Sequence, residues 1–279
     1  MSYLRLIRAN KPIPILLILW PTYWALWVAS EGVPSMTILV IFSLGVVSTR
    51  SLGCVLNDVF DRNFDGSVER TKYRPLASNS ITIFEALSVS FVLLLISFLL
   101  VCQLNLFTIL LSVVAVVLMT LYPLLKRFFC LPQLFLGLAF NFGIIMAFSA
   151  ITNSITIKAC FLYIIAVIWT LAYDTIYAIS DLPYDKKLNL KSSAILFGDY
   201  LFFIIGLLQA TVTFLLICFG LYCSYNIFYY IAIFVSVFFY VFEYRLYKTY
   251  RMEDCIKAFS NNHWVGLIMF LGIALQYLK

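Results

Sequence analysis

The stretch MTILVIFSLGVVSTRSLGCVLNDVFDRNFD, residues 36–65, holds an apolar segment followed directly by a cluster of acids. Residues 36–57 are mostly apolar, and about 20 mostly apolar residues are enough for a helix to cross a bilayer. The side chains that follow, Asn57, Asp58, Asp61 and Asp65, all carry oxygen atoms. The stretch therefore predicts a membrane-spanning helix that ends in a group of metal-ligand oxygens.

The composition of the whole chain extends this interpretation. Of its 279 residues 63% are hydrophobic and 11% charged, with a mean hydropathy of +1.00, which is too much apolar surface for one water-soluble core. We therefore expect an all-α, polytopic membrane protein. Nine apolar stretches predict about nine transmembrane helices, at 13–30, 36–57, 84–102, 105–122, 133–150, 159–180, 201–222, 227–247 and 263–278.

The distribution of basic residues predicts the orientation of these spans. Most of the 19 Lys and Arg residues fall in alternate loops, and the opposite loops hold little more than Lys158. Because cytoplasmic loops are enriched in Lys and Arg, we expect a cytoplasmic N-terminus. The net charge of +6 is then a topology signal and an attraction to the lipid bilayer surface. Without a basic soluble domain, nothing indicates a nucleic-acid partner.

Two longer loops, predicted at about 57–82 and 181–199, carry much of the acidic charge on the side assigned as cytoplasmic. Each contains two acids spaced four apart, Asp61 and Asp65 in the first and Asp181 and Asp185 in the second. No Gly/Ser-rich or Pro-rich linker interrupts the chain, which favours one intramembrane domain over residues 1–279. The repeated spacing suggests two halves that face each other across a cavity.

The first acidic run has the chemistry of a metal site. If the helix continues past the span, Asn57, Asp61 and Asp65 recur at i, i+4 and i+8 on one face, with Asp58 beside them. Carboxylates this close repel one another unless a cation neutralises them. Mg²⁺ prefers a few carboxylates together with waters and substrate phosphate oxygens, so two or three acids suit it.

The second acidic run predicts a second group of metal ligands. Asp181 and Asp185 form the pair, and Asp174 lies about two helical turns earlier. Two facing clusters would hold two Mg²⁺ ions with a diphosphate between them. Basic side chains close to both runs would bind the remaining phosphate oxygens; they are Arg62, Arg70, Lys72, Arg74 and Lys191.

The acidic residues also have interpretations that involve no catalysis. The acids could be solvated loop charges, and Asp174 could make a hydrogen bond between packed helices. A transporter would also contain buried acids, but transporters place them near the bilayer midplane, whereas nearly all acids here follow span ends on one side. A membrane scaffold explains neither cluster.

The sequence resembles the UbiA-type intramembrane aromatic prenyltransferases, and within them those that act on 4-hydroxybenzoate in ubiquinone biosynthesis. The resemblance extends over nearly the whole chain. It departs at Tyr184, where the family usually has an acid, and at Asn189, where it usually has Gly. The stretches that carry it are GCVLNDVFDRNFDGSVERTKYRPLAS (53–78), YPLLKRFFCLPQLFLG (122–137) and AYDTIYAISDLPYDKKLNLKSSAILFG (172–198), supported by 11–30 and 259–272.

The resemblance implies nine helices around a central cavity that is capped by Asp-rich cytoplasmic loops and open laterally for a lipid tail. It also implies Mg²⁺-dependent transfer of a polyprenyl group from polyprenyl diphosphate to the ring carbon ortho to the 4-hydroxybenzoate hydroxyl. Naphthoate or homogentisate is the alternative acceptor. The membrane would be the bacterial inner membrane, or the mitochondrial inner membrane in a eukaryote.

These implications assign a role to each candidate residue. The metal ligands would be Asn57, Asp58, Asp61 and Asp65 in the first cluster and Asp181 and Asp185 in the second. Arg62, Lys72 and Lys191 would contact phosphate. Arg50 and Arg127 are candidates for the benzoate carboxylate, although Arg50 could equally serve helix packing or extend towards the interface. Asp174 would orient the acid or act as base; Asp61, Asp181 and Arg62 share the catalytic assignment; Tyr122, Tyr173 and Tyr177 would line the cavity and shield the cation.

Overall fold

In the computed structural model of the protein the described residues are 2–66, 71–125, 129–187 and 190–277, without the side chains of 63–65 and 122–125. This part of the chain is helical, with nine helices of 18 or more residues, and it contains a short 3-10 turn, Gly198–Tyr200. The helices are α1 (Ser2–Leu6), α2 (Ile13–Ser30), α3 (Met36–Asp65), α4 (Ile83–Val101), α5 (Leu106–Leu125), α6 (Pro132–Thr152), α7 (Ile157–Lys187), α8 (Ser193–Phe197), α9 (Leu201–Tyr222), α10 (Ile227–Tyr247) and α11 (Met252–Ala274).

The all-helical prediction is confirmed for the described residues, and seven of the helices are long and apolar enough to cross a membrane. These are α2, α3, α4, α6, α7, α9 and α10. The described apolar part of α5, Leu106–Leu121, is slightly shorter than a full span. The helix α11 has a polar first half that includes Glu253, Asp254, Asn261 and Asn262.

Three predicted boundaries were wrong, all because polar residues continue a helix. The helices α3 and α7 run on to Asp65 and Lys187, so the acids lie on helical turns and not in cap loops. The last helix covers Met252–Ala274 and not 263–278. Its polar half is helical because Asn262 is buried there and accepts a hydrogen bond from Trp169 Nε1 at 2.9 Å.

The helix α7 forms the centre of the packing. In its most apolar segment 67% of the residues are buried, against 11% in α4. Trp169 of α7 packs against Trp24 of α2 with ring centroids 5.5 Å apart, and Trp24 Nε1 donates to the Gly266 carbonyl of α11 at 2.9 Å. These aromatic contacts join α2, α7 and α11, because they combine large buried area with satisfied indole N–H groups.

The helices α3 and α4 are packed more loosely against the rest. They contact each other extensively, whereas α4 and α5 barely touch. The space between this pair and the helices α2, α6 and α7 is a cavity of about 1030 Å³.

A close approach at Gly266 generates a first prediction. A Cβ there would lie 2.7 Å from Trp20 Cδ1 and 3.0 Å from Trp20 Cβ, whereas a Cβ at Gly206 of α9 would meet nothing within 4 Å. Gly266→Ala should destabilise the protein by about 1–3 kcal/mol through overpacking. Gly206→Ala is the matched control and should leave stability unchanged or raised, because Ala favours helix. Thermal unfolding in detergent compares them; equal melting temperatures would contradict the packing.

Candidate active site

The cavity has a polar end and a long apolar remainder. The apolar walls include Ile18 of α2, Phe42 and Val46 of α3, Phe98 of α4 and Met119 of α5. The polar end is lined by side chains from α3, α7 and the segments next to them, namely Arg8, Lys11, Asn57, Asp58, Asp61, Arg74, Asp174, Asp181, Asp185 and Lys191. Anionic and cationic groups therefore converge at one end of an apolar chamber.

The first acidic run enters this polar end on the last turns of α3. Asn57, Asp58 and Asp61 all line the cavity, and the helix continues through them as the i, i+4 spacing requires. Asp65 is the last residue of α3, and its side chain lies outside the described residues. The structure thus brings three of the four predicted first-cluster residues to the cavity wall.

Asp58 is engaged by two guanidinium groups. Arg8 Nη2 donates to Asp58 Oδ1 at 2.7 Å and to Oδ2 at 3.0 Å, and Arg74 Nη1 lies 3.2 Å from Oδ1. The Asp58 side chain is only 1% exposed, so the two charges that compensate it matter. These contacts give Asp58 a positioning role for two arginines at the polar end.

The N-terminal segment is anchored to this part of the bundle. Leu6 is fully buried among Val55, Leu76 and their neighbours. The Tyr3 hydroxyl donates to Glu85 Oε1 at 2.6 Å, and this hydrogen bond raises the pKa of Tyr3 above its ordinary value. Arg8 follows α1 in the left-handed region at φ 58°. The anchoring holds the Arg8 guanidinium at the cavity.

The second acidic run lies on the last turns of α7. Asp174, Asp181 and Asp185 all line the cavity, and Lys191 lines it from the segment after α7. The Asp174 carboxyl interacts electrostatically with both Asp181 and Arg50. Tyr184, at the position that departs from the family pattern, also lines the cavity. All three predicted acids of the second run therefore face the same space as those of the first.

Arg50 lines the cavity from within α3, away from the helix end. Its guanidinium lies over the Phe140 ring of α6, 5.3 Å from the centroid. The Nε atom is buried and has no hydrogen-bond partner among the described residues. A guanidinium with a buried, unsatisfied Nε–H favours an anionic ligand, because Arg binds carboxylates through its planar set of donors.

An aromatic wall faces these charged groups. Tyr173 and Tyr177 of α7 line the cavity as predicted, and Phe259 of α11 packs on both, with ring centroids 5.7 and 5.0 Å away. Tyr173 is almost fully buried, and its hydroxyl accepts a hydrogen bond from Thr170 at 3.0 Å. The rings form a rigid apolar surface with electron-rich faces next to Asp174.

Other predicted residues do not line the cavity or lie outside the described residues. Arg62 is exposed, and its Nη1 donates to the Val59 carbonyl at 3.4 Å. Lys72 Nζ lies 4.9 Å from the centroid of the Tyr73 ring. Neither is among the described residues that line the cavity. Arg70, Arg127 and the side chain of Tyr122 fall outside the described residues.

The donor set fits a hard divalent cation that is shared with a ligand. Within the described residues, no group of three or more His, Cys, Asp or Glu is arranged to hold a metal alone. The cavity instead offers carboxylates and an amide from two helices, Asn57 and Asp61 on α3 and Asp181 and Asp185 on α7. Mg²⁺ characteristically uses one or two carboxylates and completes its shell with water and phosphate oxygens.

Several cavity residues were missed by sequence reasoning. Arg8 and Phe140 lie in apolar or terminal segments where no motif marks them, and Phe259 is one of 26 phenylalanines. The available signal was the group of basic residues near the N-terminus, which predicted only the orientation of the spans. Their placement depends on contacts between helices distant in sequence.

A family model described as "UbiA prenyltransferase family" matches residues 18–272. The chain belongs to the UbiA prenyltransferase family. It is therefore an integral membrane protein, in agreement with its seven membrane-capable helices. The match spans both acidic runs and the aromatic wall.

Individual relatives and solved structures also support membership of the UbiA family. A 4-hydroxybenzoate octaprenyltransferase of Francisella tularensis subsp. mediasiatica is 50% identical over 277 residues, which cover 99% of this chain and 98% of the relative. A UbiA homolog from Aeropyrum pernix K1 has the same fold, with a TM-score of 0.80, 21% identity, and 93% and 97% coverage. A UbiA homolog from Archaeoglobus fulgidus bound to GPP and Mg²⁺ gives a TM-score of 0.70 at 20% identity, covering 98% and 97%.

The anchoring of Arg8 by Asp58 generates a second prediction. Asp58→Asn keeps the side-chain size but removes the charge that Arg8 and Arg74 share, and a hydrogen bond to a charged group contributes about 1.5–3 kcal/mol. The N-terminal segment should detach more often, so trypsin should cleave after Arg5 or Arg8 faster than in the wild type.

The matched control breaks an exposed ion pair. Glu31→Gln removes the partner of Lys158, 3.3 Å away, where Glu31 is 74% exposed, and should leave the cleavage rate unchanged. Cleavage of Asp58→Asn at the wild-type rate would show that the two arginines do not depend on this carboxylate.

Proposed function

We propose that this chain transfers a polyprenyl group from polyprenyl diphosphate to 4-hydroxybenzoate, at the ring carbon ortho to the hydroxyl, in ubiquinone biosynthesis. The observation that carries the proposal is one cavity with two acidic helix ends and basic side chains at its polar end and apolar walls elsewhere. A polyprenyl diphosphate likewise has a charged diphosphate at one end and a long apolar chain. The relative with 50% identity is named for octaprenyl transfer to 4-hydroxybenzoate, which supports the acceptor.

The apolar part of the cavity suits a long prenyl chain. Its lining on α3 extends from Asp58 back to Ile41, which is roughly 25 Å at about 1.5 Å per helical residue. A long polyprenyl chain exceeds this length. The loose contact between α4 and α5, which both line the cavity, supports a lateral opening through which the rest of the chain reaches the lipid.

The metal we propose is Mg²⁺. Asn57 and Asp61 would hold it from α3, together with Asp65, and Asp181 and Asp185 from α7. Mg²⁺ would neutralise the negative charge that develops on the departing diphosphate. Divalent-metal use is supported by the homolog from Archaeoglobus fulgidus, whose structure is bound to GPP and Mg²⁺. Because Asp58 is paired with Arg8 and Arg74, we assign it to positioning these guanidiniums and not to the metal.

Cationic side chains would bind the remaining diphosphate oxygens. Lys191, Arg8 and Arg74 line the polar end, and fixed positive charge there stabilises a leaving anion more strongly than water does. The sequence also proposes Arg62 and Lys72 as phosphate contacts. Neither is among the described residues that line the cavity, so they are the weaker candidates.

The aromatic acid would lie between Arg50 and the wall of Tyr173, Tyr177 and Phe259. Arg50, whose guanidinium lies over Phe140, would bind the carboxylate; Arg127 is the other candidate from the sequence. The C1–O bond of the prenyl diphosphate breaks, and the ring carbon ortho to the hydroxyl bonds to C1. The aromatic rings would shield the positive charge at C1 from water. Asp174 is the proposed acceptor of the ring proton, which must leave to restore aromaticity.

We infer a single intramembrane domain over residues 1–279 with nine transmembrane helices. The seven membrane-capable helices support this, and α5 and α11 would add the remaining two. The basic residues at the polar end support a cytoplasmic position for both acidic helix ends. We propose the bacterial inner membrane as the location.

The experiment that tests this function offers different acceptors to membranes that contain the protein. With Mg²⁺ and a polyprenyl diphosphate, 4-hydroxybenzoate should be prenylated, and dihydroxynaphthoate and homogentisate should not. Product formed from dihydroxynaphthoate or homogentisate alone would refute the acceptor.

Variants in the same assay identify the site. Asp61→Asn and Asp181→Asn should lower the rate by at least about a hundredfold, because each removes one carboxylate that would face the diphosphate. Asp199→Asn alters an exposed acid outside the described cavity wall and should keep normal turnover. Near-normal turnover in Asp61→Asn or Asp181→Asn would exclude the substituted residue from the metal site.

The Arg50 assignment makes a separate prediction. Arg50→Gln removes the charge but keeps polarity, and should raise KM for 4-hydroxybenzoate about tenfold or more, since a hydrogen bond to a charged group contributes about 1.5–3 kcal/mol. KM for the polyprenyl diphosphate should stay within about twofold. Arg50→Lys tests whether the planar donors of the guanidinium matter, because Lys keeps the positive charge but lacks those donors. An equal increase in both KM values would indicate that Arg50 only packs the helices.

A further inference from the structure

The segment Leu190–Ser193 connects the second acidic run to α8 and follows the end of α7 closely. Leu190 N donates to the Asp185 carbonyl at 2.9 Å. Lys191 and Ser192 both line the cavity, as Asp185 does. Ser192 has no role in the function proposed above.

The neighbouring Ser193 is fully used in holding this segment. Its backbone N–H donates to Gln133 Oε1 of α6 at 2.9 Å, and its hydroxyl lies 2.8 Å from the Thr175 hydroxyl of α7. The Thr175 hydroxyl donates to the Leu171 carbonyl at 2.6 Å, so the Ser193 hydroxyl is the donor to Thr175. These bonds fasten the start of α8 to α6 and α7, and they determine the position of Ser192.

The Ser192 hydroxyl, in contrast, makes no hydrogen bond to the described residues. Ser192 is 3% exposed, and its Oγ is buried without a partner. It occupies the N-cap position of α8, where a serine hydroxyl usually accepts from a backbone N–H of the first turn, but no such bond is present. Buried hydroxyls are almost always satisfied, so this one points to a ligand.

The surroundings of Ser192 determine the chemistry of that ligand. Lys191 has only donors and attracts an anion, and the carboxylates of Asp181 and Asp185 make this end suited to a metal-bound anion. A serine hydroxyl donates readily to a phosphate oxygen, which an apolar prenyl chain or an aromatic ring would not provide. An anionic oxygen next to Lys191 would accept the hydrogen bond that the Ser192 hydroxyl lacks among the described residues.

We propose that Ser192 is a diphosphate-binding residue, whose Oγ–H donates to a phosphate oxygen that Lys191 also contacts. The proposal rests on the proposed function, since the diphosphate is the substrate named there. It adds a neutral donor, held in place by Ser193, to the charged groups of the two acidic runs.

The kinetic test compares Ser192→Ala, Ser192→Thr and Ser193→Ala. Ser192→Ala should raise KM for the polyprenyl diphosphate about tenfold and leave KM for 4-hydroxybenzoate within about twofold, because one hydrogen bond to a charged ligand is lost. Ser192→Thr keeps the hydroxyl in an extended conformation that suits Thr, at φ −152° and ψ 158°, and should restore the wild-type KM.

Ser193→Ala is the matched control for a structural role. It loses the bond to Thr175, so it should lower the melting temperature, whereas Ser192→Ala should not. A normal diphosphate KM in Ser192→Ala would overturn the proposal. The proposal would also be overturned if Ser192→Ala lowered the melting temperature and raised KM for the diphosphate and KM for 4-hydroxybenzoate equally.

A binding measurement separates this proposal from the prenyl-transfer function. Inorganic pyrophosphate with Mg²⁺ should raise the melting temperature of the purified wild-type protein, and Ser192→Ala should need about tenfold more pyrophosphate for the same shift. This result would support Ser192 even if no aromatic acceptor were prenylated. Equal shifts in both proteins would overturn it even if 4-hydroxybenzoate were prenylated normally.

Discussion

Charge is costly in the hydrocarbon core of a bilayer, and this constraint accounts for the position of the two acidic runs at the ends of α3 and α7. A span needs about 20 residues, whereas α3 and α7 have 30 and 31. The additional turns carry both acidic runs beyond the most apolar part of each helix. The same two helices thus provide apolar walls along most of their length and a polar end where they leave the membrane core.

Because the acidic turns remain helical, the polar end is ordered by packing as well as by charge. The side chains of Asn57, Asp58 and Asp61 recur on a face that a loop would not keep. Asp58 uses that fixed position to hold Arg8 and Arg74, which brings the N-terminal segment to the cavity. A carboxylate within the first acidic run thereby binds cationic groups, and the cavity contains side chains of both signs of charge.

The bundle is rigid on one side of the cavity and loose on the other. Trp24, Trp169 and the carbonyl of Gly266 join α2, α7 and α11 through close aromatic packing, which supports the wall of Tyr173, Tyr177 and Phe259. The helices α4 and α5 barely contact each other. This asymmetry suits a reaction that needs a fixed aromatic acceptor and a flexible, lipid-soluble donor, because only the donor must pass to and from the membrane.

The sequence by itself determined the all-α fold class and both acidic runs, and each of its nine apolar segments overlaps a long helix of the described residues. Hydrophobic length and the i, i+4 spacing of Asp61 and Asp65 are local properties, so a single sequence is enough to detect them. It also identified Asp174, Tyr173 and Tyr177, all of which line the cavity. Hydropathy alone ended α3 and α7 too early and began α11 too late, because burial of polar side chains against other helices is not visible in a local window.

Only the tertiary structure decided which residues meet. The approach of Arg8 to Asp58 spans 50 positions, and that of Phe259 to Tyr173 spans 86. It likewise decided that Arg50 lies over Phe140 and that Ser193, and not Ser192, is engaged in holding α8. Such contacts depend on how the helices pack, and their packing is set by the sum of many weak contacts that no local pattern encodes.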